Sequence, residues 1–468
     1  LLVFTYQSVF GQSIYWDYSF DLDSHWGFGG DVIELNGSYY WGVSGNYYSS
    51  ECRIGYYGLL KLDVEGNPLF ENVTIDSTFC DYPEPINPIF HSPSIEPFQN
   101  NQVLHLTNQK RPEPLPYDHI TSDILLSSYD SLGNILWSHL LLDSGYSETP
   151  YDLVSDNEGF FIVGDHCLDF GSDDSAILVR LDNIGNVIWT SEINHSSRSG
   201  TRTTDNGYLI VGGEFARLTK LDSAGNQEWH QSAVGLPMFH NIIKLSDDNY
   251  LISGVKGGVA RLKKIDIEGN EIWSVDSLNF RSNINQSIEL NDGSIISTGE
   301  YIAVISSNPE VSTIHGWLMK TDANGNVLWE QVYSENSYFS RVMPTSDGGF
   351  LLSGVTGLYQ GTDWDAWLIK VDSSGYIPNY TVNVNDLSNY LRFDVWPNPM
   401  DDVLNIEFPT LQSPQELTVA DVTGREILRF IQIKKTRTID TSGWPSGMYL
   451  LNGIDESGQS FSTKILKR

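Results

Sequence analysis

The chain repeats nearly continuous apolar segments, each followed at once by a polar turn. AILVRLD at 176–182, GWLMKTD at 316–322 and AWLIKVD at 366–372 are three of them. Segments that are apolar on both faces are typical of strands in a sheet covered on both sides. We therefore expect these segments to be interior strands.

An eight-residue phrase, Asp-x-x-Gly-Asn-x-x-Trp, ends these segments and continues into the next. The Asp side chain can bond the backbone two residues on, and Gly and Asn tolerate positive φ. The phrase therefore predicts a tight turn between two antiparallel strands. Its clear copies begin at Asp130, Asp182, Asp222, Asp266 and Asp322, and worn copies begin at Asp63 and Asp372.

A second phrase, a turn dipeptide leading into a β-rich run such as DGGFLLSG, precedes each copy of the first. Each repeat then reads as strand, tight turn, strand, variable loop, strand, tight turn, strand. Seven such repeats predict a seven-bladed β-propeller in an all-β chain. The second phrase begins at Asn36, Asn100, Asp156, Asp205, Asp247, Asn291 and Asp347.

The two ends of the repeat region predict how the propeller closes. The seventh repeat has Asn379 where the phrase would place Trp, so its fourth strand is missing. The segment SIYWDYSFDL at 13–22 can supply that strand, with Trp16 in the vacant position. We therefore expect a propeller over residues 13–380, closed by its N-terminal strand in the blade of Asp372.

The first phrase resembles the tryptophan-docking motif of quinoprotein dehydrogenase propellers, although the Asp-to-Trp interval here is one residue shorter. The resemblance implies that the tryptophans lock neighbouring blades together. Aromatic rings at such positions bury large areas, so we interpret them as packing residues and not as ligand-stacking ones. The predicted packing residues are Trp16, Trp137, Trp189, Trp229, Trp273 and Trp329.

Long insertions between the second and third strands are predicted to share one rim with the crossovers between blades. They span 44–57, 108–120, 165–174 and 303–315. Variable loops on a rigid scaffold are where binding usually resides. The first insertion carries Tyr47, Tyr48, Tyr56 and Tyr57. Such exposed aromatic residues are suited to sugar faces and equally to protein interfaces.

Three cysteines allow one disulfide with one thiol left over. Cys52 lies in the first insertion, and Cys80 lies in the crossover from the first blade to the second. Both are expected on the same face near one blade boundary. We predict a Cys52–Cys80 disulfide and a free Cys167.

After a polar linker at 381–390, residues 391–468 change in kind, with alternating apolar strands separated by Pro-Asn-Pro, Thr-Gly and Ser-Gly turns. This pattern predicts a small antiparallel β-sandwich. The region closely resembles the type A C-terminal sorting domain of the type IX (Por) secretion system of Bacteroidota. The matching residues are Trp396, Pro397, Asn398 and Pro399 at the entry, Leu404 and Ile406, then Asp421, Gly424, Arg425, Gly447 and Tyr449, and the basic end at 464–468.

This second resemblance implies a route of export. A signal peptide would direct inner-membrane passage, the outer-membrane translocon would recognise the tail, and a sortase-like protease would cleave it. The product would be secreted or attached to the cell surface through lipopolysaccharide. Residues 1–12 fit the remnant of a signal peptide ending in small residues. The alternative is a buried N-terminal strand.

Charge and hydropathy exclude some partners. The formal net charge is −33, and residues 1–390 hold 18 Lys and Arg against 50 Asp and Glu. Such acidity repels phosphate backbones, so we expect no nucleic-acid partner. The charge is otherwise what keeps an extracellular protein soluble. No stretch is apolar enough to span a bilayer, so no transmembrane segment is expected.

No established catalytic or cofactor motif is present, and we predict no catalytic residue and no cofactor. The acidic runs 169–174 and 363–365 carry ligand types that calcium takes, but they fit solvated turns as well. Two first-strand segments expected to line the channel, 242–246 and 342–346, have no carboxylate. This favours a non-catalytic module that binds or adheres to a polysaccharide or a protein. The alternative is a secreted glycoside hydrolase or lyase with its site on the loop face.

Overall fold

A computed structural model gives the architecture of the chain. The structure describes residues 16–20, 25–48, 53–76, 93–112, 120–141, 147–167, 175–212, 216–232, 238–276, 282–307, 310–357, 364–377, 394–396, 400–407, 416–421, 425–431, 436–454 and 460–467. The chain divides into two compact units, Leu1–Tyr380 and Thr381–Arg468. No helix among the described residues has the length and apolar character needed to cross a membrane.

The first unit is a propeller. Its described residues form seven four-stranded antiparallel sheets, as the sequence predicts. Blade 1 contains β2 (His25–Leu35), β3 (Ser38–Tyr48), β4 (Arg53–Leu62) and β5 (Pro68–Asp76). Blade 2 contains β6 (Ser94–Phe98), β7 (Gln102–Pro112), β8 (Ile120–Tyr129) and β9 (Ile135–Leu140), with a 3₁₀ turn at Gln99–Asn101. Blade 3 contains β10 (Ser147–Asp156), β11 (Gly159–Cys167), β12 (Ser175–Asp182) and β13 (Val187–Ile193).

The remaining blades follow the same order. Blade 4 contains β14 (Ser199–Arg202), β15 (Tyr208–Gly212), β16 (Arg217–Leu221) and β17 (Gln227–Ser232). Blade 5 contains β18 (Met238–Lys244), β19 (Tyr250–Lys256), β20 (Val259–Ile265) and β21 (Glu271–Asp276). Blade 6 contains β22 (Ser282–Glu289), β23 (Ile295–Ser307), β24 (Glu310–Thr321) and β25 (Val327–Glu335). Blade 7 contains β26 (Ser337–Pro344), β27 (Phe350–Thr356), β28 (Asp365–Val371) and, from the other end of the chain, β1 (Asp17–Phe20).

Closure of the propeller is confirmed. Strand β1 pairs antiparallel with β28, from Asp17 opposite Ile369 to Phe20 opposite Ala366. The amide of Lys370 also donates a hydrogen bond to the carbonyl oxygen of Trp16, at 2.8 Å. The N-terminal segment is therefore the outer strand of the last blade and gives that blade the same four strands as the others.

The first phrase folds as the turn that its residues predict. In blade 4, Asp222 Oδ1 accepts the amides of Ala224 and Asn226 at 2.9 and 2.8 Å. Gly225 supplies the positive φ of 83° that reverses the chain. Since Asp, Gly and Asn each satisfy one local requirement, the turn forms in the same way from blade to blade.

A basic side chain two residues before the first phrase pairs with an acidic residue of the second. Arg180 Nη2 lies 2.8 Å from Asp156 Oδ1 in blade 3, and Lys264 Nζ lies 2.5 Å from Asp247 Oδ2 in blade 5. These pairs bring both tight turns of a blade to the same rim. The same arrangement joins Lys220 to Asp205, Lys320 to Asp292 and Lys370 to Asp347.

The apolar core is divided among the blade boundaries. One cluster of buried side chains joins blade 3 to blade 4 and includes Phe161, Val163, Tyr208 and Ile210. Comparable clusters lie between the other neighbouring blades, including the boundary of blades 7 and 1. Each sheet is therefore covered on both faces, which explains why its strands read as continuous apolar runs.

The second unit is a small antiparallel β-sandwich, as predicted. One sheet contains β29 (Asp394–Trp396), β30 (Val403–Glu407) and β33 (Thr436–Asp440). The other contains β31 (Glu416–Asp421), β32 (Glu426–Ile431), β34 (Gly447–Ile454) and β35 (Ser460–Lys467). Leu404, Ile406, Val419, Leu451 and Ile465 form part of one buried cluster between them.

Candidate functional site at the channel mouth

The first strand of each blade lines an axial channel. Two cavities occupy it among the described residues, one of about 380 Å³ and one of about 300 Å³. The smaller cavity lies at the start of these first strands, so it opens on the rim that carries the crossovers and the variable loops. We call it the mouth cavity.

Bulges in the first strands set the side chains that separate the two cavities. The pairing register shifts between Pro150 and Asp152, and between Phe339 and Arg341. The same shift precedes Asn241 and Gln286 in blades 5 and 6. A bulge re-aims the side chains beside it. Asp152, Asn241, Gln286 and Arg341 line both cavities, and with Ser199 they form what we call the polar belt.

Each belt residue reaches forward to the next blade. Gln286 Oε1 accepts the amide of Val342 at 2.7 Å, and Asn241 Oδ1 accepts the amide of Ser287 at 3.0 Å. In the same way Ser199 Oγ accepts the amide of Ile242, and Asp152 Oδ2 accepts the amide of Gly200, each at 3.3 Å. Arg341 completes the series by donating to Asp31 of blade 1. The belt therefore satisfies backbone donors of the innermost strands.

Charges in the channel are closely spaced. Burial raises the pKa of Asp152 to about 6, although Arg341 and the hydroxyl of Ser199, 2.7 Å away, oppose the shift. Burial also raises the pKa of Glu96 to about 8, against a 2.8 Å hydrogen bond from Ser155. Burial disfavours the charged form of Arg341, but the carboxylates of Asp31 and Asp152 outweigh it and raise the Arg341 pKa.

Groups above the belt face the mouth cavity. The guanidinium of Arg198 stacks 4.3 Å from the centre of the Tyr151 ring. His240 Nδ1 lies 3.0 Å from the carbonyl oxygen of Ile284, so this nitrogen carries the proton and Nε2 is an acceptor. Burial lowers the pKa of His240, and the charge of Arg198 lowers it further. Tyr338 completes the wall.

Sequence reasoning missed the carboxyl groups of the channel. The segments 242–246 and 342–346 do contribute to its lining and have no carboxylate, but other first strands contribute Asp31, Glu96 and Asp152. A signal for the belt was present in the sequence. In blades 4 to 7 the belt residue lies nine positions before the first residue of the second strand, as Arg341 precedes Phe350.

The predicted packing aromatics lie at the blade boundaries, each against the phrase glycine of the next blade. A methyl group built on Gly225 would lie 2.8 Å from the Trp189 ring, and one on Gly325 would lie 2.9 Å from Trp273. Phe70, in a worn copy of the phrase, contacts Gly133 in the same way. The other pairs are Trp137 with Gly185, Trp229 with Gly269, Trp329 with Gly375 and Trp16 with Gly66.

The expectation of exposed tyrosines in the first insertion is wrong for Tyr56 and Tyr57, which lie in β4 and are buried in the core. Other predicted sites lie partly outside the described residues. Cys52 and Cys80 are among those outside, so the disulfide remains a prediction. The acidic run 169–174 is outside as well, and the described residues hold no group of three or more metal-ligating side chains. Pro397, Asn398, Pro399 and Gly424 of the sorting motif are also outside.

The remaining sorting-motif residues belong to the sandwich. Tyr449 is buried, and its hydroxyl donates a 2.7 Å hydrogen bond to the carbonyl oxygen of Pro445. Arg425 Nε lies 3.1 Å from Asp421 Oδ2 across a turn. Trp396 is the last residue of β29, and Gly447 is the first of β34.

These features define a β-propeller joined to a small β-sandwich that carries an export motif. Residues 394–468 match the family described as secretion system C-terminal sorting domain, and residues 174–350 match the family described as outer membrane protein assembly factor BamB. The last region is therefore a type IX sorting domain. The chain is exported through that system and is released or displayed at the cell surface.

Solved structures with a similar fold share little sequence. A protein of unknown function from Bacteroides caccae is 10% identical, with 66% of this chain and 94% of that chain covered and a TM-score of 0.39. A catalytically inactive virginiamycin B lyase from Staphylococcus aureus, with quinupristin, is 8% identical, with 76% of this chain and 99% of that chain covered and a TM-score of 0.46. Sqt1 from Chaetomium thermophilum is 12% identical, with 76% of this chain and 98% of that chain covered and a TM-score of 0.41. No curated protein matches the chain.

Proposed function

We propose that the propeller is a non-catalytic binding module, presented outside the cell, that binds a polysaccharide at its variable-loop face. The mouth cavity carries this proposal, because it combines two tyrosine rings, Tyr151 and Tyr338, with the guanidinium of Arg198. Ligand sites are typically concave, with aromatic walls and a few placed polar groups. Adhesion to a protein through the same face is the other form of the binding function.

A second candidate is a secreted carbohydrate-active enzyme. His240 favours it, because a neutral imidazole with a free Nε2 acceptor lies in the same cavity as the carboxyl of Asp152. Such groups can exchange protons with a bound sugar. The belt argues the other way, because Asp152 already accepts hydrogen bonds from Ser199 and Gly200.

One experiment separates the two functions. The full chain is applied to a glycan array. Each glycan that binds the protein is then incubated with it and assayed for new reducing ends. Binding of the protein without release of sugar supports the binding module. Release that disappears in a His240→Gln variant would replace it with the enzyme. If the protein binds no glycan on the array, polysaccharide binding is contradicted.

We also propose a division of labour along the chain. Residues 1–12 would belong to a signal peptide, 13–380 would form the working propeller, 381–390 would be a linker, and 391–468 would be a sorting domain removed by a sortase-like protease. The two compact units and the polar composition of the linker support this division. A fragment of residues 13–380 should remain soluble and should keep the far-UV circular dichroism signal that its seven blades give in the full chain. Aggregation of that fragment alone would contradict the boundary.

A further inference from the structure

We propose that the mouth cavity recognises a carboxylated sugar residue and that Arg198 binds its carboxylate. This inference rests on the proposed function and adds the chemical class of the ligand. An arginine fork matches the two oxygens of a carboxylate, which makes it a specific anchor and not only a point charge.

Arg198 is unusual in its surroundings. Residues 1–390 contain almost three acidic residues for each basic one, and the described basic residues of the blades are commonly paired with them. Arg198 is exposed and makes no ion pair within the described part of the chain. It instead stacks on Tyr151 at 4.3 Å, which fixes the guanidinium at the cavity wall. A free, oriented cation in an acidic protein points to an anionic ligand.

The rest of the cavity suits a sugar ring. Tyr151 and Tyr338 provide aromatic surface, and His240 Nε2 offers an acceptor for a hydroxyl group. A volume of about 300 Å³ is at the low end for small-molecule sites. The cavity therefore fits one or two sugar residues, such as the end of a chain, better than a long polymer lying flat.

Arg341 cannot take the same role. Its Nε donates to Asp31, and its two terminal nitrogens lie 3.1 Å from the carbonyl oxygen of Ser340 and 3.4 Å from that of Tyr151. All three nitrogens of the Arg341 guanidinium therefore already donate hydrogen bonds within the protein. Asp152 is the nearest acidic group in the cavity, and it is engaged with Ser199 and Gly200 of blade 4. Of the two arginines that line the mouth cavity, Arg198 is thus the one that can donate hydrogen bonds to a ligand.

The test compares matched ligands and matched variants. The full chain is titrated by calorimetry with a trimer of galacturonic acid, with the same trimer after reduction of its carboxyl groups, and with a sulfated trimer. Loss of hydrogen bonds to a charged group costs about 10- to 100-fold in affinity. Arg198→Ala should therefore weaken binding of the acidic trimer by at least about tenfold. Arg198→Lys should retain part of the affinity, because it keeps the charge and loses the fork.

Lys256→Ala is the control. Lys256 is exposed at the end of β19, near the same rim, and lines neither cavity. It removes the same charge and should leave affinity unchanged. Equal binding of the acidic and reduced trimers, unaffected by Arg198→Ala, would overturn the carboxylate inference and leave the binding function standing. Tighter binding of the sulfated trimer would overturn it too. Absence of binding to every glycan would defeat both proposals.

Discussion

Trp16 Nε1 donates a hydrogen bond to the carbonyl oxygen of Val64, 3.1 Å away, and the Trp16 ring covers Gly66. Trp16 belongs to the outer edge of blade 7, whereas Val64 lies in the hairpin phrase of blade 1. This contact completes the series of aromatic rings and glycines around the propeller. The Trp16 side chain, which comes from the N-terminal end of the repeat region, thus closes the propeller at the boundary of blades 7 and 1.

Replacing Trp16 with Ala should destabilise the propeller strongly. The side chain is 2% exposed and packs with Tyr39 at the boundary of blades 7 and 1. Removing a large buried aromatic side chain costs about 3–5 kcal/mol. The midpoint of the propeller's urea transition measures the loss. Leu136→Ala, at an exposed position of β9, should change stability by less than about 0.5 kcal/mol. Equal effects of the two would refute a closing role for Trp16.

Gly225→Ala should be more harmful than Gly348→Ala. Both glycines have positive φ, 83° and 87°, so both substitutions carry the same backbone strain of about 1–2 kcal/mol. Only at Gly225 would the new methyl group meet a ring, 2.8 Å from Trp189, whereas Gly348 has no atom within 4 Å. Overpacking should add about 1–3 kcal/mol at Gly225.

Thermal unfolding of the two glycine variants measures this difference. A double variant, Gly225→Ala with Trp189→Phe, should recover part of the loss, because the smaller ring leaves room for the methyl group. If both single variants lose the same stability, the ring contact contributes nothing and the glycine serves only the turn.

The blade count and the closing strand could be predicted because their causes are local. An Asp, a Gly and an Asn determine a hairpin wherever they recur, and Asn379 in place of a tryptophan marks the missing strand. The sandwich followed from alternating apolar strands and from the sorting motifs. None of these predictions depended on contacts between residues that are distant in the sequence.

The channel could not be predicted in the same way, because bulges decide which side chains line it. A single extra residue before Asp152 or Arg341 changes the side-chain alternation that a strand pattern assumes. The meeting of Arg198 with Tyr151 joins two blades and leaves no mark on either sequence segment. Paired charges such as Arg180 with Asp156 were visible only as repeated residue types.

His105 should make stability depend on pH between about 6.5 and 4. The imidazole is fully buried between Tyr57 and Tyr129, and neither ring nitrogen has a hydrogen-bond partner among the described residues. Burial lowers the His105 pKa to about 4. The unfolded chain therefore takes up a proton on acidification before the folded one does. Stability should fall as pH falls, by roughly 3 kcal/mol at pH 4 from this residue.

A His105→Leu variant isolates that contribution. Burial also lowers the pKa values of His195, His240 and His315, so the wild-type slope includes all of them. The difference between the two proteins' urea stabilities, measured from pH 7.5 to 4.5, should grow in favour of the variant as pH falls. Parallel curves would show that His105 is protonated equally in the folded and unfolded states.

Affinity for the acidic trimer should rise as pH falls from 7.5 to 5. Burial raises the pKa of Asp152 to about 6, so its negative charge in the mouth cavity is lost over this interval. The ligand's carboxyl stays ionised, because an unperturbed carboxyl of this kind titrates at about 3.5. Removing one repulsive charge at several ångströms should strengthen binding by about three- to tenfold.

Asp152→Asn separates this effect from the other groups near the ligand. The amide oxygen can still accept from Ser199 and Gly200, and Arg198 and Arg341 remain charged throughout the range. Burial lowers the pKa of His240 and so disfavours its protonation, and Glu96, with a pKa of about 8, is already largely neutral at pH 7. The variant should therefore bind at all pH values about as tightly as the wild type does at pH 5. Calorimetric titrations that show the same slope in both proteins would place the titrating group elsewhere in the channel.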